Sequence, residues 1–79
     1  MSYGYSQSLV DANKKANAKS LGVALGRLCI KQGIPVTEVA RELEVSRMAV
    51  YNWFLGTHSP TPSIKSRVLV YLDSLKKRN

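Results

Sequence analysis

Apolar residues along most of this chain recur three and four positions apart, which predicts a series of short amphipathic helices. Leu21, Ala24, Leu25, Leu28 and Cys29 form one stripe on a helix from about Ser20 to Gln32, capped by Ser20 and stopped by Gly33. Gly22 and Gly26 lie inside it, at a cost of about 1 kcal/mol each against alanine; they would permit close helix contact but do not by themselves require it. Val36, Val39, Ala40 and Leu43 define a second helix. Pro35 suits its first position, where a missing N–H is no loss, and Glu38 sits near its start. After the corner Leu43-Glu44-Val45, Ser46 caps a third helix whose inner face is Val50, Trp53 and Phe54. Gly56 stops it, and the loop Gly56-Thr-His-Ser-Pro-Thr-Pro62 follows. Thr61 then caps a last helix with Pro62 at its first position and an inner stripe of Ile64, Val68, Tyr71, Leu72 and Leu75.

Three segments fit this scheme less well. Leu69 and Val70 fall off the last stripe and need another partner. Residues 1–8 read as a mobile arm. Leu9 to Ser20 is either an extra helix or part of that arm, because two asparagines and few large apolar groups make a weak core face. No segment alternates with period two. The pattern therefore predicts an all-α, compact domain of four to five helices over residues 20–79, preceded by an arm or extra helix over 1–19.

Seventy-nine residues make one domain. A chain of this size buries only about 60% of its unfolded surface, which leaves little room for a separate catalytic unit. The single cysteine, Cys29, excludes an internal disulfide and a multi-cysteine metal site; packing in the core is expected of it. His58 has no nearby cysteine or second histidine. No Ser/His/Asp set, glycine-rich phosphate loop or ligand cluster is visible, so neither an enzyme nor a metal or other cofactor is expected. No run of 18 or more apolar residues exists, so no membrane-spanning helix is expected. The opening residues lack the basic-then-apolar pattern of a secretory signal, and a reducing, cytoplasmic setting fits best.

Charge changes the picture. The net charge is +7, unevenly spread. In residues 1–34, Lys14, Lys15, Lys19, Arg27 and Lys31 against Asp11 leave +4. In 35–55, Arg41 and Arg47 against Glu38, Glu42 and Glu44 leave −1. In 56–79, Lys65, Arg67, Lys76, Lys77 and Arg78 against Asp73 leave +4. A nearly neutral centre between basic segments suits a groove-reading helix with phosphate contacts on either side. Surplus lysine that only keeps a small protein soluble is the alternative.

The centre also has the outline of a helix-turn-helix, with Arg47, Met48, Tyr51 and Asn52 on one polar face of its second helix. Residues 20–75 resemble the DNA-binding domain of phage Cro and lambda-type repressors, and Val36–Leu55 resembles that family's helix-turn-helix. Ala40 falls where the family keeps a small residue. Leu43, Val45, Val50 and Trp53 fall on its buried positions, and Ser46 on its recognition-helix cap. Two positions depart from the pattern. The family's corner glycine is Glu44 here, and a left-handed glutamate costs roughly 1 kcal/mol, so a differently built corner is expected. The family's phosphate-binding glutamine is Val36, with Thr37 and Arg41 the nearest substitutes.

The resemblance implies a sequence-specific regulator of transcription from a phage or bacterium, a repressor that reads double-stranded DNA with helix 46–55. Arg47, Met48, Tyr51 and Asn52 are then the base readers. Arginine forks onto guanine, asparagine pairs with adenine, and Met48 and Tyr51 touch thymine methyls. Ser46, Thr37, Arg41, Thr57, His58, Lys14, Lys15 and Lys19 are the expected phosphate contacts. The resemblance also implies a homodimer on half-sites about 34 Å apart. Leu69, Val70 and Tyr71 are the expected seam. Trp53 reads as a core anchor. Nothing nearby would bury Tyr3 or Tyr5, so an arm that orders on DNA, one that docks on a partner, and plain disorder all remain open. Two other functions compete: a small inhibitor of a host protein built on the same scaffold, and a nonspecific architectural DNA binder.

Overall fold

The computed structural model describes residues 5–17 and 19–77 and places five α-helices in them. They are α1 (Gln7–Lys15), α2 (Leu21–Gln32), α3 (Val36–Leu43), α4 (Arg47–Leu55) and α5 (Pro62–Lys77). Among the described residues there is no strand, so the all-α expectation holds. None of the helices is long and apolar enough to cross a membrane.

The core is where four helices meet. Leu25 and Cys29 of α2, Val39 and Leu43 of α3, Val50 and Phe54 of α4, and Val68 and Leu75 of α5 are sealed from solvent. Each such side chain contributes about 1.5–3 kcal/mol by leaving water. The stripes read for α3 and α4 are the buried ones, Trp53 included, and Leu69 and Val70 are exposed on α5. Ile64 and Tyr71 pack only at the core's edge.

In α2 the buried face is turned from the expected one. Gly22, Val23, Leu25, Gly26 and Cys29 are buried, whereas Leu21, Ala24 and Leu28 are only half-buried. The two glycines decide this. A Cβ on Gly22 would sit 2.6 Å from the Trp53 Cβ, and one on Gly26 would sit 2.8 Å from the Phe54 ring. Helix α4 lies directly on this bare surface, so the side without side chains is the side that packs. Ser20 holds the cap position of α2, but its hydroxyl makes no cap bond and is buried without a hydrogen-bond partner among the described residues.

Pro35 is the residue before α3, one position earlier than expected. The corner after α3 is left-handed, with Glu44 at φ 57° and ψ 45°. The departure from glycine therefore does not change the turn. Glu44 takes the strained conformation, and the Val45 N–H donates to the Ala40 carbonyl at 3.0 Å to close it. Gly33 and Gly56 take the same conformation after α2 and α4, at φ 71° and 80°.

The mobile arm is contradicted from residue 5 onward, and the segment after it resolves to the extra helix. Tyr5 is buried; its hydroxyl donates to the Ile34 carbonyl at 2.5 Å and its ring lies 6.1 Å from that of Phe54. The Ser6 hydroxyl then caps α1 by accepting from the Leu9 N–H. Helix α1 ends at Lys15, well before Ser20. Tyr3 and Arg78 lie outside the described residues.

Candidate nucleic-acid interface

The Ser46 hydroxyl accepts from the Ala49 N–H at 3.1 Å and starts α4, while Val50, Trp53 and Phe54 anchor its inner side. What remains outside is the proposed reading face. Arg47 is exposed at the first helical position, Met48 is 68% exposed, and Tyr51 stands at 37%. These three border a depression of about 690 Å³ with Ala40, Val45 and Ser46.

Asn52 is set apart from them. It is half-buried and borders a different groove, beside His58 and Ile64. The Thr57 hydroxyl donates to the Asn52 carbonyl at 3.2 Å and reaches its Oδ1 at 3.5 Å. The N–H groups of Thr57 and His58 also converge on that carbonyl, at 3.1 and 3.4 Å. The His58 Nδ1 lies 3.4 Å from the Thr57 hydroxyl. Asn52, Thr57 and His58 thus form one polar knot at the end of α4.

Helix α3 separates charge by face. Thr37 and Arg41 are exposed, four residues apart, next to Ala40 on the side of the α4 depression. Glu38 and Glu42 lie one step around the helix, and Glu42 borders the groove between α3 and α5. Glu42 therefore faces away from the depression that Arg47 borders.

Lys14, Lys15, Lys19 and Lys65 lie near the other end of α4. Lys14 and Lys15 are exposed on the last turn of α1. That turn abuts α4: the Asn13 Nδ2 donates to the Phe54 carbonyl at 2.7 Å, and the Ala16 Cβ is 3.3 Å from where a Cβ on Gly56 would lie. Lys19 is exposed and shares a depression with Ser59, Pro60 and Lys65, beside the loop after α4. Lys65 was missed in the sequence, where it reads as ordinary polar surface.

Three other polar residues were missed for a different reason. Asn13 is 1% exposed and bridges the carbonyls of Val23 and Phe54. The Arg27 Nη2 reaches the Lys14, Ala16 and Asn13 carbonyls at 2.9, 3.2 and 3.4 Å, closing the end of α1. Arg67 does the same for α3 through the Leu43 carbonyl at 3.2 Å. Both place positive charge where the helix dipole favours it. Only their partners reveal these roles, and the partners are backbone atoms.

Burial pushes the Cys29 thiol up to about 12, with the Glu38 carboxylate adding to the effect. Burial likewise raises the Tyr5 phenol, helped by Cys29, Tyr51 and Tyr71. Both groups stay protonated at neutral pH. Among the described residues no group of three His, Cys, Asp or Glu could hold a metal ion.

Compared with known protein families, curated proteins and solved structures, the chain gives no match.

Proposed function

We propose that this chain is a sequence-specific double-stranded DNA-binding regulator that reads the major groove with α4 and represses by occupying a promoter. The observation that carries this reading is the exposed set Arg47, Met48 and Tyr51 on a capped helix whose opposite side is locked into the core. A reader needs such rigidity, because base-edge contacts tolerate little misplacement. Asn52 contributes from the flank. In this reading Ser46, Thr37 and Arg41 hold the phosphate backbone on one side of α4, and Thr57, His58, Lys14, Lys15 and Lys19 hold it on the other. Glu42 does not oppose this, since it borders the groove between α3 and α5. Leu69 and Val70, exposed on α5, support a second copy of the chain as a further partner.

The test is selection of bound sites from a random duplex library at moderate salt. An enriched motif is the expected result. Arg47→Ala should then cost about 1–3 kcal/mol and relax preference at one guanine, whereas Lys14→Ala should weaken binding evenly across sequences and flatten the salt slope. Binding without enrichment would replace this reading with an architectural role. Absence of binding at low salt would turn attention to a protein partner.

A further inference from the structure

Helices α2 and α5 meet along a shallow groove of about 290 Å³. Ala24, Leu28 and Leu72 line it, with Arg27, Lys31 and Lys76 around them and no carboxylate. The Gln32 side chain donates to the Leu75 carbonyl at 2.8 Å, which ties the two helices together at this end and fixes the walls before anything binds. On α2, Ala24, Leu28 and Lys31 face away from Gly22 and Gly26, where α4 packs. The groove is therefore on the far side of α2 from α4, and its cations serve no contact made by Arg47.

The positive charge of this groove has no counterpart on the helices that build it. Helix α2 carries no carboxylate, and α5 carries one, Asp73, which pairs with Lys77 at 3.2 Å. Lys31 and Lys76 are exposed, and among the described residues neither forms an ion pair. The Arg27 Nη2 is turned to the carbonyls that end α1, but its charge stays at the groove. Three like charges around an apolar floor repel one another, and carboxylates seated among them would relieve that repulsion.

We propose that the α2–α5 groove docks an acidic segment of another protein, whose aliphatic or aromatic side chain enters between Leu28 and Leu72 while its Asp or Glu carboxylates meet Lys31 and Lys76. Charge complementarity selects the carboxylates, and the apolar floor selects the anchor between them. A duplex backbone brings charge but nothing apolar to cover Ala24 and Leu28. A bilayer is too flat, because Leu72 is only 8% exposed and a projecting side chain is needed to reach it. A second copy of this chain is a poor source of carboxylates: it has five against twelve basic residues, and its Glu42 shares a groove with Arg67. The volume also falls at the lower limit of the about 300–1,000 Å³ usual for small-molecule sites, so it suits anchor side chains of a peptide. The site lies away from α4, and this inference does not rest on DNA reading.

Selection of a displayed random peptide library on the full chain tests it, with synthetic copies of the enriched peptides titrated by fluorescence anisotropy. Enriched peptides should combine Asp or Glu with Leu, Ile or Phe, and their affinity should fall as salt is added. Reversing both lysines, Lys31→Glu with Lys76→Glu, should weaken binding by at least about tenfold. Both residues are exposed, so circular dichroism should show an unchanged fold. Peptides with lysine in place of their acidic residues should in turn prefer the reversed variant to the wild type. Amide chemical shifts should move at Ala24, Leu28 and Leu72 on titration and stay in place at Arg47 and Tyr51. The proposal fails if no peptide is enriched, if the enriched peptides lack acidic residues, or if the double reversal leaves their affinity unchanged. It fails too if vesicles of phosphatidylglycerol or a nonspecific duplex bind through Lys31 and Lys76 while acidic peptides do not. The DNA reading is judged separately, since duplex site selection should yield the same motif with Lys31→Glu as with the wild type.

Discussion

The α3–α4 pair and helix α1 lean on the same residue, Phe54, by different means. The pair meets the core through apolar side chains, Val39 and Leu43 from one helix and Val50, Trp53 and Phe54 from the other. Helix α1 buries Val10 and Asn13, and is fixed by Asn13 and Arg27 acting on backbone carbonyls. Just before it, the Tyr5 ring rests near that of Phe54. Apolar docking gains strength with area and tolerates modest rearrangement. Polar docking depends on a few bonds, and losing one donor leaves a buried acceptor unsatisfied.

Four changes set these two modes against each other. Phe54→Ala should erase the contrast by removing the ring that both regions use. A loss of about 3–5 kcal/mol is expected, a large share of the stability of a domain of this size, and urea denaturation would measure it. Asn13→Ala should sharpen the contrast. It leaves the Val23 and Phe54 carbonyls without their donor, costs about 2–3 kcal/mol, and should loosen α1 while α2–α5 stay folded. Amide exchange resolved by residue would show it, and uniform loss of protection in all five helices would contradict it.

High pH should act on the apolar centre instead. The Cys29 thiol ionises near 9 in the unfolded chain but near 12 in the folded one. Stability from this group is complete below pH 9 and falls as pH rises through that window, by about 1 kcal/mol at pH 10. Cys29→Ala should remove that share of the decline, as urea midpoints at pH 8 and 10 would report. Glu44→Gly touches the α3–α4 pair alone. Relief of the left-handed backbone should raise stability by about 0.5 kcal/mol, a small rise in the melting temperature.

The same contrast explains what could be read in advance. The stripe Val36, Val39, Ala40 and Leu43, the Ser46 cap and the Gly56 stop were visible because apolar packing and capping act at fixed spacings along one helix. Arg47, Met48 and Tyr51 followed as the outer face of a helix whose inner face was known. The burial of Tyr5 was invisible, since its partner Ile34 is 29 residues away and accepts through its carbonyl. Asn13 read as a weak helix former and proved an anchor whose acceptor lies 41 residues on. In α2 the stripe was misjudged because glycine has no hydropathy to mark a packing face, although Gly22 and Gly26 marked one by their size. The left-handed Glu44 was judged by its own propensity, whereas the helices on either side determine the turn.

The bond from Asn13 to the last turn of α4 also divides the molecule in time. With one buried apolar residue of its own, α1 is the part whose amide protons should exchange through a local opening, well before global unfolding releases those of α2 and α4. Each opening strips the Phe54 carbonyl of its donor and carries Lys14 and Lys15 away from the end of α4. A duplex held by those lysines would close that motion. If the chain binds DNA as proposed, the duplex should slow exchange in α1, a helix given no base to read.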